Sequence, residues 1–147
     1  MVQHDGMVGT DGARAMLAAD VASTALGIEL VEVATGRARV RMRVTDGMLN
    51  GHRICHGGYV FLLADTAFAV ACNTYGRTTV AAGADIAFLR PVGPGEVLVA
   101  EAVERSRYGS SGIYDVTVTR ADGEVVAEFR GRSRMLATDV GTPVREQ

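Results

Sequence analysis

The chain has 147 residues, a formal net charge of −2 and 22% charged residues. Its length suits one domain, 1–147, that buries a hydrophobic core, and the lack of a basic stripe argues against a nucleic-acid partner. The longest apolar run is interrupted by Asp65 and Thr66, and the N-terminal residues lack the basic and apolar regions of a secretory signal. We therefore expect a cytoplasmic protein with no membrane span and with flexible ends at 1–10 and 137–147.

The predicted elements form an α+β pattern. Residues 11–26 carry apolar side chains at helical spacing and predict a short helix. Residues 38–44 alternate strictly between apolar residues and three arginines, which predicts a half-buried antiparallel strand. A long apolar helix is expected over 59–72, with Gly76 as the left-handed residue that ends it. The predicted strands are 28–34, 38–44, 78–90, 96–107, 113–120 and 124–136.

The long helix 59–72 must be covered by the other elements. The surrounding strands predict one antiparallel sheet against it. A helix that is apolar on every face has more surface to bury than one face of one sheet can cover. We therefore expect a second subunit against this helix.

The start and the middle of this helix carry its polar chemistry. The preceding loop ends in His56-Gly57-Gly58, with no Ser, Thr, Asp or Asn at the expected N-cap position. Free N–H groups there would form an anion or oxyanion site, although the two glycines could instead only permit a sharp entry turn. The lone carboxylate, Asp65, is costly in an apolar helix unless it has partners or a function. It is either a catalytic group or a structural carboxylate bound by backbone or by an arginine.

Four sequence blocks carry a family resemblance over residues 20–136. The first is Asn50…His56-Gly57-Gly58, with Leu63-Ala64-Asp65 seven residues further on. This block resembles the hotdog-fold acyl-CoA thioesterases, and within them the PaaI branch, the phenylacetyl-CoA thioesterases. The blocks that match this branch are Phe88-Leu89-Arg90-Pro91, Gly112-Ile113-Tyr114-Asp115 and Val126-Ala127-Glu128-Phe129-Arg130-Gly131-Arg132-Ser133.

The resemblance implies an architecture and an activity. The architecture is a hotdog fold, an antiparallel sheet wrapped around one long central helix, in dimers with a continuous sheet and often in dimers of dimers, so a homotetramer is expected. The activity is hydrolysis of an acyl-CoA, phenylacetyl-CoA or hydroxyphenylacetyl-CoA, to the free acid and CoA. No cofactor is implied, because coenzyme A is part of the substrate.

Catalytic roles follow by matching residues to this reaction. Asp65 would act as a general base on water or attack the thioester directly, and the Gly57 amide would polarise the carbonyl. Asn50 would orient the water or the carboxylate, although Asn50-Gly51 is also a strong turn signal. His56 would donate a hydrogen bond to the substrate or hold the loop.

Further candidates are less tied to the motif. Some family members use a strand hydroxyl to help place the attacker, but Ala81 stands at that position here. Thr79, two residues earlier, and Thr66, next to Asp65, are the available hydroxyls. The arginines could meet the CoA phosphates or form a solvated sheet face, and the helix aromatics could line an acyl pocket or the core. The expected substrate-binding residues are Gly58, Phe61, Arg90, Arg132 and Ser133.

The spacing of the two main catalytic groups has a geometric consequence. Gly57 and Asp65 are eight residues apart on one helix, so they are separated by about 12 Å along its axis. They cannot both act on one carbonyl carbon from the same helix. Two antiparallel helices across a two-fold axis would bring Gly57 of one subunit to Asp65 of the other, twice over. The chemistry therefore predicts a homodimer with composite sites.

Other chemistries and functions compete with this one. His52 and His56 have a metal-like spacing, but no third ligand lies nearby, so no metal is expected. Cys55 beside His56 could be a thiol nucleophile, but no acidic residue adjoins it. A non-catalytic acyl-CoA-binding or sensing module and a medium-chain acyl-CoA thioesterase are the alternative functions.

Overall fold

One antiparallel sheet packs against one long helix. The structure, a computed structural model, describes residues 5–144, with side chains from residue 9 onward. Its elements in chain order are α1 (Asp5–Ala18), α2 (Val21–Ala25), β1 (Glu29–Ala34), β2 (Arg37–Arg43), α3 (Gly57–Cys72), β3 (Arg77–Phe88), β4 (Val97–Tyr108), β5 (Ser111–Thr119) and β6 (Val125–Asp139). The six strands run in the order β1-β2-β4-β5-β6-β3, and α3 contacts all six. The predicted α+β fold, with its sheet around a central helix, is confirmed.

The strands form because apolar and polar side chains alternate along them. On β2, Ala38, Val40 and Met42 are buried, while the arginines that alternate with them lie on the other face. Two of those arginines, Arg37 and Arg39, both pair with Glu101 on the neighbouring strand. The inner face of the sheet is therefore apolar, and its outer face carries ion pairs that solvent screens.

Aromatic rings join α3 to the sheet. The Phe68 ring lies 5.6 Å from the Tyr114 ring and 5.8 Å from the Phe129 ring, measured between centroids. All three side chains are buried. Gly131 on β6 leaves room for Phe68, because a Cβ there would lie 2.7 Å from the Phe68 Cζ atom.

A polar cluster fixes the chain just beyond the C-terminal end of α3. The Tyr75 hydroxyl donates to Glu104 Oε1 at 2.7 Å, and the Tyr114 hydroxyl donates to the same oxygen at 3.2 Å. The Asn73 side chain donates to the carbonyl oxygens of Ala69 and Thr79. The helix end is therefore bonded to β3 through Asn73 and to β4 through Tyr75, and Glu104 also joins β4 to β5.

The helix boundaries differ from the sequence prediction at two points. The single helix predicted over 11–26 is two helices, because Asp20 leaves helical geometry and caps α2. The long helix ends at Cys72 with Asn73 as its C-cap, and Gly76 takes its positive φ of 83° in the following turn.

The predicted flexible ends are described only in part. Residues 1–4 and 145–147 lie outside the described residues, residues 5–10 are helical, and 137–139 belong to β6. The flexibility of 1–10 and 137–147 stays a prediction. No helix in the described part of the chain is long and apolar enough to cross a membrane.

Gly131→Ala tests the packing of α3 on the sheet. The new methyl group would displace the buried Phe68 ring, so we expect a loss of about 1–3 kcal/mol in the free energy of unfolding, measured by urea denaturation. Gly51→Ala is the control, because a Cβ there meets nothing within 4 Å and the glycine φ is not positive. Equal stability of the two variants would contradict this packing.

Candidate active site

The loop before α3 presents the N-terminus of the helix. The Cys55 N–H donates to the Val92 carbonyl at 2.7 Å, and the His56 N–H donates to the Met48 carbonyl at 2.8 Å. These two bonds hold the loop so that the chain enters α3 at Gly57.

The helix is capped, in contrast to the sequence prediction. The His56 side chain accepts a hydrogen bond from the Gly58 N–H through Nδ1 at 2.9 Å. Histidine lies outside the usual set of N-cap residues, and it caps here because its ring nitrogen reaches the second helical amide. The Gly57 N–H precedes this bond and has no acceptor among the residues described. One helix-terminal donor, that of Gly57, therefore stays available to a ligand.

Asn50 has a structural contact and a free donor. Its Oδ1 accepts from the His52 N–H at 2.9 Å and from the Ile54 N–H at 3.3 Å, so the predicted turn is present. Its side-chain amide nitrogen donates to no group in the described part of the chain, and Asn50 and Gly57 line the same pocket. The turn therefore leaves one donor of Asn50 available.

The pocket beside Gly57 has a volume of about 380 Å³. Its walls come from the loop, from the start of α3 and from the segment after β3. The Phe88 ring lies over Gly57, since a Cβ on Gly57 would be 3.0 Å from Phe88 Cζ. Arg90 lies at the rim, where its Nη1 donates to the Val125 carbonyl and its Nε pairs with Glu124 at 3.7 Å. The lining residues are Asn50, Ile54, Cys55, Gly57, Val60, Phe88, Leu89, Arg90, Pro91, Val92 and Val126.

Asp65 lies outside this pocket, on a half-open stripe of α3. The stripe is defined by Gly58, Phe61, Leu62, Asp65 and Ala69, which fall on one side of the helix and are exposed or only half-buried. The Asp65 carboxylate has no hydrogen-bond or ion-pair partner among the described residues, so the structural alternative of a bound carboxylate is not observed. Burial raises its pKa from the ordinary value, and the nearby Asp20 carboxylate raises it further.

The two candidate hydroxyls are engaged elsewhere. The buried Thr79 hydroxyl donates to the Arg77 carbonyl at 3.1 Å, close to the C-terminal end of α3. The Thr66 hydroxyl donates to the Leu62 carbonyl at 2.9 Å and contacts Ser23. The role of Thr79 stays a prediction.

Three predicted substrate-binding residues lie away from the pocket beside Gly57. Arg132 donates to Asp85 Oδ2 at 2.8 Å on the outer face of the sheet. Ser133 is buried and, with Arg132, lines a second pocket of about 360 Å³ beside Gly112. The half-buried Phe61 ring lies 5.3 Å from the Phe129 ring, so it belongs to the stripe and to the edge of the core.

The thiols and the histidines offer little alternative chemistry. Burial raises the pKa of the Cys55 thiol, and it raises the pKa of Cys72 to about 12, so neither forms a thiolate readily. Within the described residues, no three His, Cys, Asp or Glu side chains form a group that could hold a metal ion.

The sequence reasoning identified Asn50, Gly57 and Arg90, which the structure brings to one pocket. It missed the wall residue Phe88 and the carboxylate Asp20 near Asp65. Phe88 was part of a matched block, and its close approach to Gly57 follows only from the fold. Asp20 precedes Val-Ala-Ser, a pattern that an N-cap signal would have identified.

Comparisons with known proteins agree on one family. The family model of the thioesterase superfamily matches residues 52–127. The acyl-coenzyme A thioesterase PaaI of Escherichia coli (strain K12) is 45% identical over 124 residues, which are 84% of this chain and 89% of that protein.

Solved structures give the same result. The E. coli PaaI protein from the phenylacetic acid degradation operon superposes with a TM-score of 0.89 at 41% identity, covering 92% of this chain and 98% of that one. A variant of the phenylacetic acid degradation protein PaaI from Thermus thermophilus superposes with a TM-score of 0.77 at 37% identity. The match covers 80% of this chain and 100% of that one.

Asp65→Asn tests the cost of the unpaired carboxylate. Because the pKa of Asp65 is raised in the folded state, its charge opposes folding at neutral pH, and this penalty disappears as falling pH protonates the group in both states. We expect the variant to unfold at higher urea concentration than the wild type at neutral pH. The difference should narrow as the pH approaches about 3.9, the ordinary value for Asp.

The control for this measurement is Asp11→Asn, which removes an exposed carboxylate from α1. It should leave the urea midpoint nearly unchanged. A lower midpoint for Asp65→Asn at neutral pH would mean that the carboxylate has a stabilising partner.

Proposed function

The chain belongs to the thioesterase superfamily and is an acyl-CoA thioester hydrolase, and we propose that its substrate is phenylacetyl-CoA or a hydroxyphenylacetyl-CoA. The choice of this acyl group rests on the 45% identity to the E. coli acyl-coenzyme A thioesterase PaaI over 84% of the chain. The products are the free aryl-acetic acid and coenzyme A.

In the proposed mechanism, one end of the site polarises the carbonyl and the other end activates or supplies the attacking group. The Gly57 N–H, which has no acceptor among the described residues, donates to the thioester carbonyl oxygen and stabilises the charge that develops there. The Asp65 carboxylate removes a proton from water as the water oxygen adds to the carbonyl carbon, or it attacks that carbon itself. The carbon–sulfur bond then breaks, and the CoA thiolate takes up a proton. Where Asp65 itself attacks, the acyl group is left on its carboxylate as an anhydride, which water then hydrolyses to release the acid and restore Asp65.

Loop residues assist the Gly57 end of the site. The free amide nitrogen of Asn50, which lines the same pocket as Gly57, orients the attacking water or the carboxylate. His56 positions the helix amides through its Nδ1 contact with Gly58. This capping contact leaves the other ring nitrogen of His56 as a donor toward the substrate.

The substrate contacts follow from the surfaces around the two catalytic groups. Gly58 and Phe61 lie on the half-open stripe beside Asp65, where they would contact the acyl group. Arg90 at the rim of the pocket beside Gly57 suits a CoA phosphate. Arg132 and Ser133 line a separate pocket and are proposed for the remainder of the CoA.

We propose that the active site is shared between two subunits. The pocket that contains Gly57 does not include Asp65, and the two residues are about 12 Å apart along α3. A partner helix running antiparallel on the half-open stripe would supply the missing group to each site. The stripe is apolar apart from Asp65, which favours its burial against a second copy.

The sheet offers a second argument for a dimer. β3 lies at one end of the strand order, and its side away from β6 pairs with no described strand. Its middle, residues 81–84, contains only alanine and glycine. A long edge strand without charged or proline residues in its centre pairs readily with another copy, which would make one continuous sheet. Two such dimers would form the proposed homotetramer.

A substrate panel tests the reaction and the acyl group. We expect wild-type kcat/KM to be highest for phenylacetyl-CoA and its hydroxylated analogue, and lower for linear acyl-CoAs of similar size. Asp65→Asn should lose about 100-fold or more in kcat, because it removes the base or nucleophile, and Asp65→Glu should retain part of the activity.

Each outcome of the panel has a distinct meaning. A preference for linear chains would identify a medium-chain acyl-CoA thioesterase. Tight binding of phenylacetyl-CoA without turnover by the wild type would identify an acyl-CoA sensor. Near-wild-type turnover by Asp65→Asn would remove Asp65 from the mechanism.

Mixing two inactive variants tests the composite site. Asp65→Asn and a variant at the other end of the site, Asn50→Ala, are each expected to be weakly active. If the two residues act from different subunits, a mixed dimer contains one intact site and one doubly altered site. Refolding the variants together should then restore about a quarter of the wild-type specific activity, because half of the dimers are mixed and each has one working site.

Refolding each variant alone is the control, and so is mixing the two without unfolding. Activity that stays at the level of the separate variants would show that both residues act from one subunit. A wild-type enzyme that sediments as a monomer and is fully active in that state would lead to the same conclusion.

A further inference from the structure

A second carboxylate, Asp20, is linked through Ser23 to the helix that carries Asp65. Asp20 is the N-cap of α2: its Oδ1 accepts from the Ser23 N–H at 2.9 Å, and its Oδ2 accepts from the Ser23 hydroxyl at 2.7 Å. The Ser23 oxygen also lies 2.9 Å from the Thr66 hydroxyl oxygen, in a contact between residues 43 positions apart. Ser23 is 1% exposed and Thr66 is 5% exposed, so solvent does not compete for this contact.

The hydrogen atoms in this chain of contacts can be assigned. A serine hydroxyl has one hydrogen, and Ser23 donates it to the Asp20 carboxylate. The hydrogen between Ser23 and Thr66 must therefore come from Thr66, which shares it with the Leu62 carbonyl. The series Thr66 to Ser23 to Asp20 ends on an acceptor oxygen, so it fixes the Asp20 carboxylate against α3.

Thr66 is the residue after Asp65, so this series places Asp20 against the turn of α3 that carries Asp65. In keeping with this placement, the Asp20 charge raises the pKa of Asp65. No described cation is paired with Asp65 to offset that repulsion.

The other titratable groups near this part of α3 are neutral or exposed to solvent. On α3, the buried Cys72 interacts with Asp65, but its thiol stays protonated because its pKa is about 12. On the strands facing the helix, Tyr114 is kept neutral by burial, which raises its pKa, and it bonds to Glu104 near the C-terminal end. On α1, Asp11 and Arg14 are exposed to solvent.

We propose that Asp20 is a positioning residue for thioester hydrolysis: held to α3 through Ser23 and Thr66, its negative charge keeps the Asp65 carboxylate a strong base for the proton of the attacking water. This inference rests on the proposed role of Asp65. Repulsion from Asp20 disfavours a second negative charge nearby, so Asp65 gains more by accepting a proton. The same effect makes it a stronger nucleophile if it attacks the thioester directly.

The pH dependence of kcat/KM tests this proposal. Its acid limb follows the ionisation of the catalytic carboxylate in the free enzyme. Asp20→Asn removes the charge and keeps an oxygen that can accept from the Ser23 N–H, so α2 stays capped. We expect its acid limb to move to lower pH, with a lower plateau rate, because the Asp65 carboxylate is then a weaker base. An acyl thioester of pantetheine lacks the CoA nucleotide phosphates and removes their titration from the profile.

Two variants separate this charge effect from a structural one. Ser23→Ala keeps the Asp20 charge but removes the hydroxyl that links it to Thr66, so its acid limb should move in the same direction as that of Asp20→Asn and by a smaller amount. Asp122→Asn removes another turn carboxylate that accepts a backbone N–H, from Glu124, and its acid limb should not move. A cooperative thermal unfolding transition confirms that each variant is folded. If Asp20→Asn does not fold, Asp20→Ser provides a second uncharged variant in which α2 is still capped.

The outcomes separate the two proposals. If Asp65→Asn is inactive and the acid limb of Asp20→Asn stays in place, the role of Asp20 is overturned while that of Asp65 stands. An equal shift in Asp122→Asn would show only a general effect of net charge and would also overturn the role of Asp20. If Asp65→Asn is fully active, the proposed function fails first.

Discussion

An unpaired carboxylate in the middle of an apolar helix is the constraint on which the rest of this structure depends. Asp65 is half-buried, and neither a cation nor a hydrogen-bond donor in the described part of the chain offsets its desolvation. A sequence optimised for stability alone would place an apolar residue there. The fold tolerates the charge because extensive packing elsewhere on α3, around Phe68, Leu98 of β4 and the buried valines of β5, compensates for it. A local loss of folding stability of this kind is typical of a group that is retained for its chemistry.

The second group of the proposed mechanism lies at the other end of the same helix. The N-terminus of α3 supplies the Gly57 N–H because the loop bonds of Cys55 and His56 direct the chain into the helix. These groups share one rigid helix, so neither can move toward the other. A shared site between two antiparallel helices is the proposed solution, and it accounts for the half-open stripe and for the unprotected edge of β3 together.

Much of this arrangement could be predicted from the sequence, because its signals are local. The alternation along β2, the strand limits and the single charge on an apolar helix depend only on neighbouring residues. The His56 cap could not be read this way, since it depends on the loop conformation that brings Nδ1 to the Gly58 N–H. The Asp20 contact was also missed. Its bond to α3 passes through Ser23 and Thr66, which are 43 residues apart, and no periodic pattern encodes such a pair.

The polar cluster beyond the C-terminal end of α3 has a consequence for how this enzyme can change. Tyr75 and Tyr114 both donate to Glu104, and Asn73 bonds to β3, so that end of the helix is fixed to the sheet. Asp65 is only about two helical turns from this anchor, whereas the pocket beside Gly57 is built largely by loops at the opposite end. Substitutions in those loops can alter how the pocket holds the thioester and its CoA phosphates without shifting Asp65. One helix can therefore keep the same proposed catalytic groups while the loops around its N-terminus diverge.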